Sequence, residues 1–310
     1  MDNTTERNWI EYSGKPSTRS RVIKRIIRLG SRMTRNKSLE EARTVWESFA
    51  GGRKVPLGFE VNSIDIDGVE CEWIIPKADK GEKTLIYLHG GGYVTGTLST
   101  ARGFAIQVSK YTSQRVLTVG YRLAPENPFP AALEDSLAVY HSFIQQVVNA
   151  NDIVLIGDSA GGGLALATVL SLKENGEALP GAVVCISPWT DLAATGESNT
   201  KNAKIDPIFG QVEYLIKPEN YADTESLFNP LISPLYGDYS DFPPLLIHVG
   251  TDEVILDDSI RLAEKAREAG VKVSLKVWRG MWHVFTTQND ILTEGKQSLK
   301  EISEFINRCS

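Results

Sequence analysis

Residues 157–161 read Gly-Asp-Ser-Ala-Gly. A serine between small residues, after the apolar run 153–156 and before the small-residue stretch 160–167, predicts a tight turn from a strand into a helix. Such a turn pushes the Ser159 hydroxyl out of the backbone, where a substrate carbonyl could reach it. The N–H of Ala160 then points to where an oxyanion would form, and the helix N-terminus adds partial positive charge there. A glycine-rich turn with a chance serine would share the five residues but not the strand and helix around them. A second candidate is His89-Gly90-Gly91-Gly92, after the apolar run 84–88. Three consecutive glycines free the backbone to aim N–H groups at developing negative charge. A phosphate cradle is the competing reading, but no Lys-Ser/Thr pair follows and the glycine spacing is not that of a dinucleotide loop.

A hydroxyl is a poor nucleophile without a base. The chain has 4 histidines, so elimination is informative. His89 opens the glycine loop and is expected to order it. His141 falls in a helical stretch and His248 inside an apolar strand, where a satisfied core histidine is expected. His283 follows the strand that ends at Trp278, in a loop ahead of the last helix, where a base could reach the serine. The base needs an acid to set its tautomer, and with a serine at such a turn the chain order is serine, acid, histidine. Asp252 is best placed, just past the apolar strand 245–249, because catalytic groups gather at the carboxyl ends of parallel strands. Its neighbour Glu253 is the rival. Asp257 and Asp258 belong with the start of the next helix, whose dipole they suit.

The elements that must position these residues alternate. Apolar runs at 84–88, 115–119, 153–156, 182–186, 245–249 and 271–277 are separated by helical stretches near 101–111, 131–149, 160–175 and 257–269, with a last one near 291–307. Strand–helix alternation with almost continuous apolar strands predicts a mostly parallel sheet buried on both faces. Ahead of it, 60–67 and 69–76 flank Asp67-Gly68, a hairpin signal that makes the sheet mixed. Residues 1–55 read as an N-terminal helical cap region and 56–310 as the main domain, with the long connection 190–240, rich in aromatic residues and proline, contributing to the cap. Within the first part, Arg19 to Lys37 is basic with no acidic residue, and Val22, Ile23, Ile26 and Ile27 recur at helical spacing. A membrane-surface helix is the sharp reading. Packing on the body with charges toward water is the reading preferred, so membrane contact is not expected. Ser38 and Glu41 form a capping box for a second helix, and Gly51-Gly52 is expected to end it.

Net charge is −6 and the sequence pI about 5.4, which argues against nucleic acid as a partner. Three cysteines far apart in sequence suggest reduced thiols, with neither a disulfide framework nor a zinc site. The opening residues lack the apolar stretch of a secretory signal, so a cytoplasmic protein is expected.

These residues resemble the hormone-sensitive lipase family of α/β-hydrolases, in its bacterial branch of small carboxylesterases. The matches are His89–Gly92 with Tyr93, the run Tyr121–Glu126, Phe129-Pro-Ala-Ala, Asp135, Gly157–Gly162, Ser187-Pro-Trp, Gly250–Asp252 and His283. They are spread from about 84 to 285. The resemblance implies an α/β-hydrolase fold, a mostly parallel central sheet flanked by helices with a helical cap. It implies Ser159, Asp252 and His283 as catalytic triad and Gly91, Gly92 and Ala160 as oxyanion donors, with His89, Asp158 and Glu126 in supporting positions. It further implies hydrolysis of short- to medium-chain carboxylic esters through an acyl-enzyme, with no metal or cofactor and a small-molecule ester as the partner. One departure concerns the acid: the family often shows Asp-Pro-Leu-x-Asp, where this chain reads Asp252-Glu-Val-Ile-Leu-Asp257. Lactone or amide hydrolysis at the same site is the alternative, although amide cleavage on this fold usually comes with a large extra domain. A non-catalytic ligand receptor is the rival from another class, but receptors of this family typically lost the histidine that is present here. The edge expected at 271–278 could pair with its twin, so a homodimer is a further expectation.

Overall fold

The computed structural model describes residues 9–34, 37–50, 55–146, 149–209 and 217–309. In chain order, β1 (Glu11–Tyr12), α1 (Thr18–Thr34) and α2 (Leu39–Ala50) precede the hairpin β2 (Phe59–Ile66) and β3 (Val69–Pro76). Then come β4 (Thr84–Leu88), α3 (Leu98–Thr112), β5 (Arg115–Val119), α4 (Ala131–Gln145), β6 (Ile153–Asp158) and α5 (Ala160–Glu174). The chain continues through β7 (Ala182–Ile186), the short helices α6 (Ser198–Lys201) and α7 (Pro218–Ala222), β8 (Leu245–Gly250), α8 (Leu256–Glu268), β9 (Val273–Trp278) and α9 (Thr293–Arg308).

The strands form one sheet in the order β1-β9-β8-β7-β6-β4-β5-β3-β2. Pairing is parallel from β1 to β5, and β2 and β3 are antiparallel. The hairpin closes at Asp67 and Gly68, both at positive φ (51° and 86°), as a two-residue turn of right-twisted strands requires. Every residue of β6, β7 and β8 is buried, which is why those strands read as nearly continuous apolar runs rather than alternating ones. One apolar cluster holds Leu88, Val119, Leu155, Val183 and Ile247; a second, on the other face, holds Leu85, Val116, Val154, Val184 and Leu246. This is the mostly parallel, doubly covered sheet that the alternation predicts, in the α/β-hydrolase arrangement that the resemblance implies.

Ser38 and Glu41 exchange hydrogen bonds at the start of α2 (Ser38 N–H to Glu41 Oε2 2.7 Å, Glu41 N–H to Ser38 Oγ 3.2 Å), as the capping box requires. Gly51-Gly52 lies outside the described residues. Helix α4 is shorter than expected: Asn149 instead caps a 3-10 turn, accepting from Asn151 N–H at 3.1 Å. The edge expected at 271–278 is corrected too. β9 carries β1 on its outer side, with Glu11 against Lys276 and Tyr12 against Val277. Two residues are too few to show a strand period, so sequence could not reveal them.

Candidate active site

Ser159 sits between β6 and α5 with φ 54° and ψ −123°, a conformation that non-glycine residues adopt only under constraint. The constraint is visible in its bonds. Ser159 N–H donates to Ile186 O at 2.9 Å, and its carbonyl accepts from Trp189 N–H at 2.9 Å and Gly163 N–H at 3.1 Å. The turn also needs Gly161, because a Cβ there would lie 2.1 Å from the Leu88 carbonyl oxygen.

Two hydrogen bonds link serine, histidine and acid. His283 Nε2 is 2.9 Å from Ser159 Oγ, and His283 Nδ1 is 2.9 Å from Glu253 Oε2. The carboxylate that meets the histidine is therefore that of Glu253, one residue on from the Asp252 expected. Asp252 N–H donates to Met281 O at 3.0 Å, and its side chain turns outward, accepting from Thr251 Oγ1 at 2.8 Å and pairing with Lys24 of α1. Glu253 turns inward and is fully buried; its longer side chain spans from the β8 loop to the histidine. Its Oε1 accepts from Ser187 Oγ at 2.8 Å and Gly250 N–H at 2.5 Å. Burial raises the Glu253 pKa, against the hydrogen bonds and the imidazole that favour its charged form. Two acids in tandem just past a strand look alike in sequence. Which one faces inward is decided by the loop pinned to Met281.

Ser187 is a residue whose role sequence reasoning missed, although Ser187-Pro-Trp was among the matching stretches. It lies at φ 48° just after β7, donates to Glu253 and accepts from Val284 N–H at 3.1 Å, so one hydroxyl ties the acid to the histidine loop.

The glycine loop stands across the serine. Gly91 and Gly92 adopt φ 130° and 63°, and line one cavity of about 230 Å³ with Ser159 and His283. A Cβ on Gly91 would fall 2.1 Å from Thr95 O, so no other residue fits that turn. Buried Asp158 holds the loop, accepting from Gly90 N–H at 3.0 Å and Tyr87 hydroxyl at 2.6 Å. His89 stacks on Tyr121 with ring centroids 4.4 Å apart, and its carbonyl accepts from the Tyr121 hydroxyl at 2.6 Å. Burial lowers the His89 pKa, against the Gly90 carbonyl and the Asp158 carboxylate, which favour the charged ring. Glu126 stands outside this cavity. It forms a bidentate pair with Arg43 of α2, which holds its pKa down at about 2, and Arg43 also donates to the carbonyls of Val94 and Ala124.

The remaining histidines follow the elimination. His248 bonds Ser298 Oγ at 2.7 Å in the core, and His141 pairs with Glu177 at the surface. Asp257 and Asp258 open α8, where they also accept from Ser198 N–H, and from Thr190 and Asp191 N–H, fastening the long connection. That connection supplies Ile208 and Phe209 to the cavity wall, with Phe209 4.4 Å from the His283 ring. Phe104, Val284 and Thr287 also line the cavity.

A family model for the alpha/beta hydrolase fold matches residues 85–287. The chain belongs to the α/β-hydrolase family. Within it the likeness is to bacterial hormone-sensitive lipase esterases. A solved esterase of that bacterial family superposes with a TM-score of 0.88 at 39% identity, covering 95% of this chain and 98% of that one. An acetyl-hydrolase of Streptomyces hygroscopicus is 36% identical over 89% of this chain and 92% of its own length. An esterase of Acinetobacter venetianus is 37% identical over 79% of this chain and 81% of its own. Family, fold and site together make this α/β-hydrolase a carboxylic ester hydrolase. No described helix is long and apolar enough to cross a membrane.

Proposed function

We propose that the protein is a serine carboxylesterase that uses Ser159, His283 and Glu253 as its triad, with Gly91, Gly92 and Ala160 as oxyanion donors. The observation that carries this reading is the unbroken path from Glu253 Oε2 through both imidazole nitrogens to Ser159 Oγ, each step 2.9 Å. Glu253 accepts a hydrogen bond from Nδ1–H, which holds the proton there and leaves the Nε2 lone pair toward the serine hydroxyl. His283 takes the Ser159 proton as Oγ attacks the ester carbonyl, and the tetrahedral oxyanion forms where the Gly91, Gly92 and Ala160 N–H groups converge. His283 then protonates the leaving alkoxide. Water, deprotonated by the same imidazole, attacks the acyl-Ser159 ester; the acyl–Oγ bond breaks as the imidazolium returns its proton to Ser159 Oγ, and the acid leaves.

The cavity of about 230 Å³, walled by Phe104, Ile208 and Phe209, favours short acyl chains over long ones. The name acetyl-hydrolase carried by the Streptomyces relative agrees with a small acyl group. Helices α1 and α2 and the 190–240 connection are read as the cap that closes this space. The test is hydrolysis of a p-nitrophenyl ester series from acetate to palmitate, with Ser159→Ala alongside. Turnover should peak at short chains and fall by about 10⁶-fold in the variant. Near wild-type turnover in folded Ser159→Ala would refute the nucleophile, and a peak at palmitate would refute the pocket reading.

A further inference from the structure

Helix α1 has two apolar stripes. Ile23 and Ile27 form the first and pack on the cluster of Trp278, Met281, Trp282 and Phe285. Val22, Ile26 and Leu29 form the second, at i, i+4 and i+7 on the far side, and they are 52%, 62% and 61% exposed. Packing on the body accounts for the first stripe and leaves the second, among the described residues, without a partner. Arginines border the exposed stripe: by helical geometry Arg19 lies on one side and Arg21, Arg25 and Arg32 on the other. Among the described residues none of these four meets a carboxylate, whereas Lys24 and Arg28, turned inward, bond Asp252 and the Ile205 carbonyl. No acidic residue occurs between Ser13 and Leu39, in a chain whose net charge is −6. The positive charge is therefore concentrated around the exposed apolar row.

We propose that α1 docks this protein on an anionic phospholipid bilayer surface. Val22, Ile26 and Leu29 enter the interface while the arginines meet lipid phosphates, the disposition of a helix lying in the membrane plane. A second copy is the less favoured occupant, because a two-fold contact would bring both arginine borders together. The same helix shares a cluster with Ile208, which also lines the Ser159 cavity, so docking would hold the catalytic site close to the lipid.

The test is co-sedimentation of the full chain with phosphatidylcholine vesicles with or without phosphatidylglycerol, at about 0.1 M and about 1 M salt, where the Debye length falls from roughly 10 to 3 Å. The variants are Val22→Ser/Ile26→Ser/Leu29→Ser and Arg21→Gln/Arg25→Gln, with hydrolysis of soluble p-nitrophenyl acetate as control. Binding should require the anionic lipid and weaken at high salt. It should fall about fivefold per arginine removed and at least as far in the serine variant, with acetate hydrolysis unchanged in both. Absence of vesicle binding, equal binding to neutral vesicles, or binding unaffected by either variant would overturn the proposal. So would an oligomer that the serine variant dissociates while vesicle binding persists, since a second copy would then be the occupant.

Discussion

Replacing Glu253 by Gln should nearly stop turnover, and the structure says why an amide fails where a carboxylate works. Glu253 Oε1 accepts from the Gly250 N–H at 2.5 Å, and that backbone donor cannot become an acceptor. A glutamine must keep its carbonyl oxygen there, which aims its NH₂ at His283 Nδ1. The imidazole then carries its proton on Nε2, toward Ser159, and can no longer take the serine proton. The same tautomer error in another serine hydrolase triad costs about 10⁴ in kcat, or about 5 kcal/mol of transition-state stabilisation. Folding should not suffer, because the amide removes a carboxylate whose ionisation burial disfavours. The companion variant Asp252→Asn loses only its contact with Lys24, an ion pair of partly exposed side chains, and should stay within a few-fold of wild type. Steady-state kcat and KM on p-nitrophenyl butyrate, with circular dichroism as a check on folding, measure both. If Asp252→Asn is crippled while Glu253→Gln turns over normally, the assignment is wrong and the acid role returns to the first carboxylate.

Two further outcomes follow from the same geometry. Phe209→Ala should enlarge the cavity beside His283 and move the preferred p-nitrophenyl ester to a longer chain; an unchanged profile would show that Phe209 does not limit acyl length. Burial lowers the His248 pKa to about 3, so below the ordinary histidine value the unfolded chain binds a proton that the native state refuses. Stability from this group is complete above about pH 6.5 and is lost as pH falls, at about 1.4 kcal/mol per pH unit, or about 3 kcal/mol by pH 4. His248→Gln should flatten that part of the acid limb in urea titrations at stepped pH, and an identical slope in the variant would contradict it.

Much of this protein is legible one residue at a time. The runs at β4, β6, β7 and β8 had to be central strands because they are apolar at nearly every position instead of alternating, and the Asp67-Gly68 turn had to be a hairpin because both residues tolerate positive φ. Ser159 was identifiable because a small-residue turn between a buried strand and a buried helix is a local property of neighbouring residues. His283 followed by elimination among four histidines. What needed the tertiary structure depends on direction rather than position. Asp252 and Glu253 differ by one step along the chain and by opposite facing. That facing is set by a backbone bond to Met281 and by Ser187, a residue distant in sequence. The outer strand β1 is two residues long and exists only because β9 offers it a partner. Helix α1 shows the same division: its sequence announced apolar residues at helical spacing and a run of positive charge. Only packing revealed that Ile23 and Ile27 face the body while Val22, Ile26 and Leu29 face outward, because a helix shows which side is inside only when something lies against it.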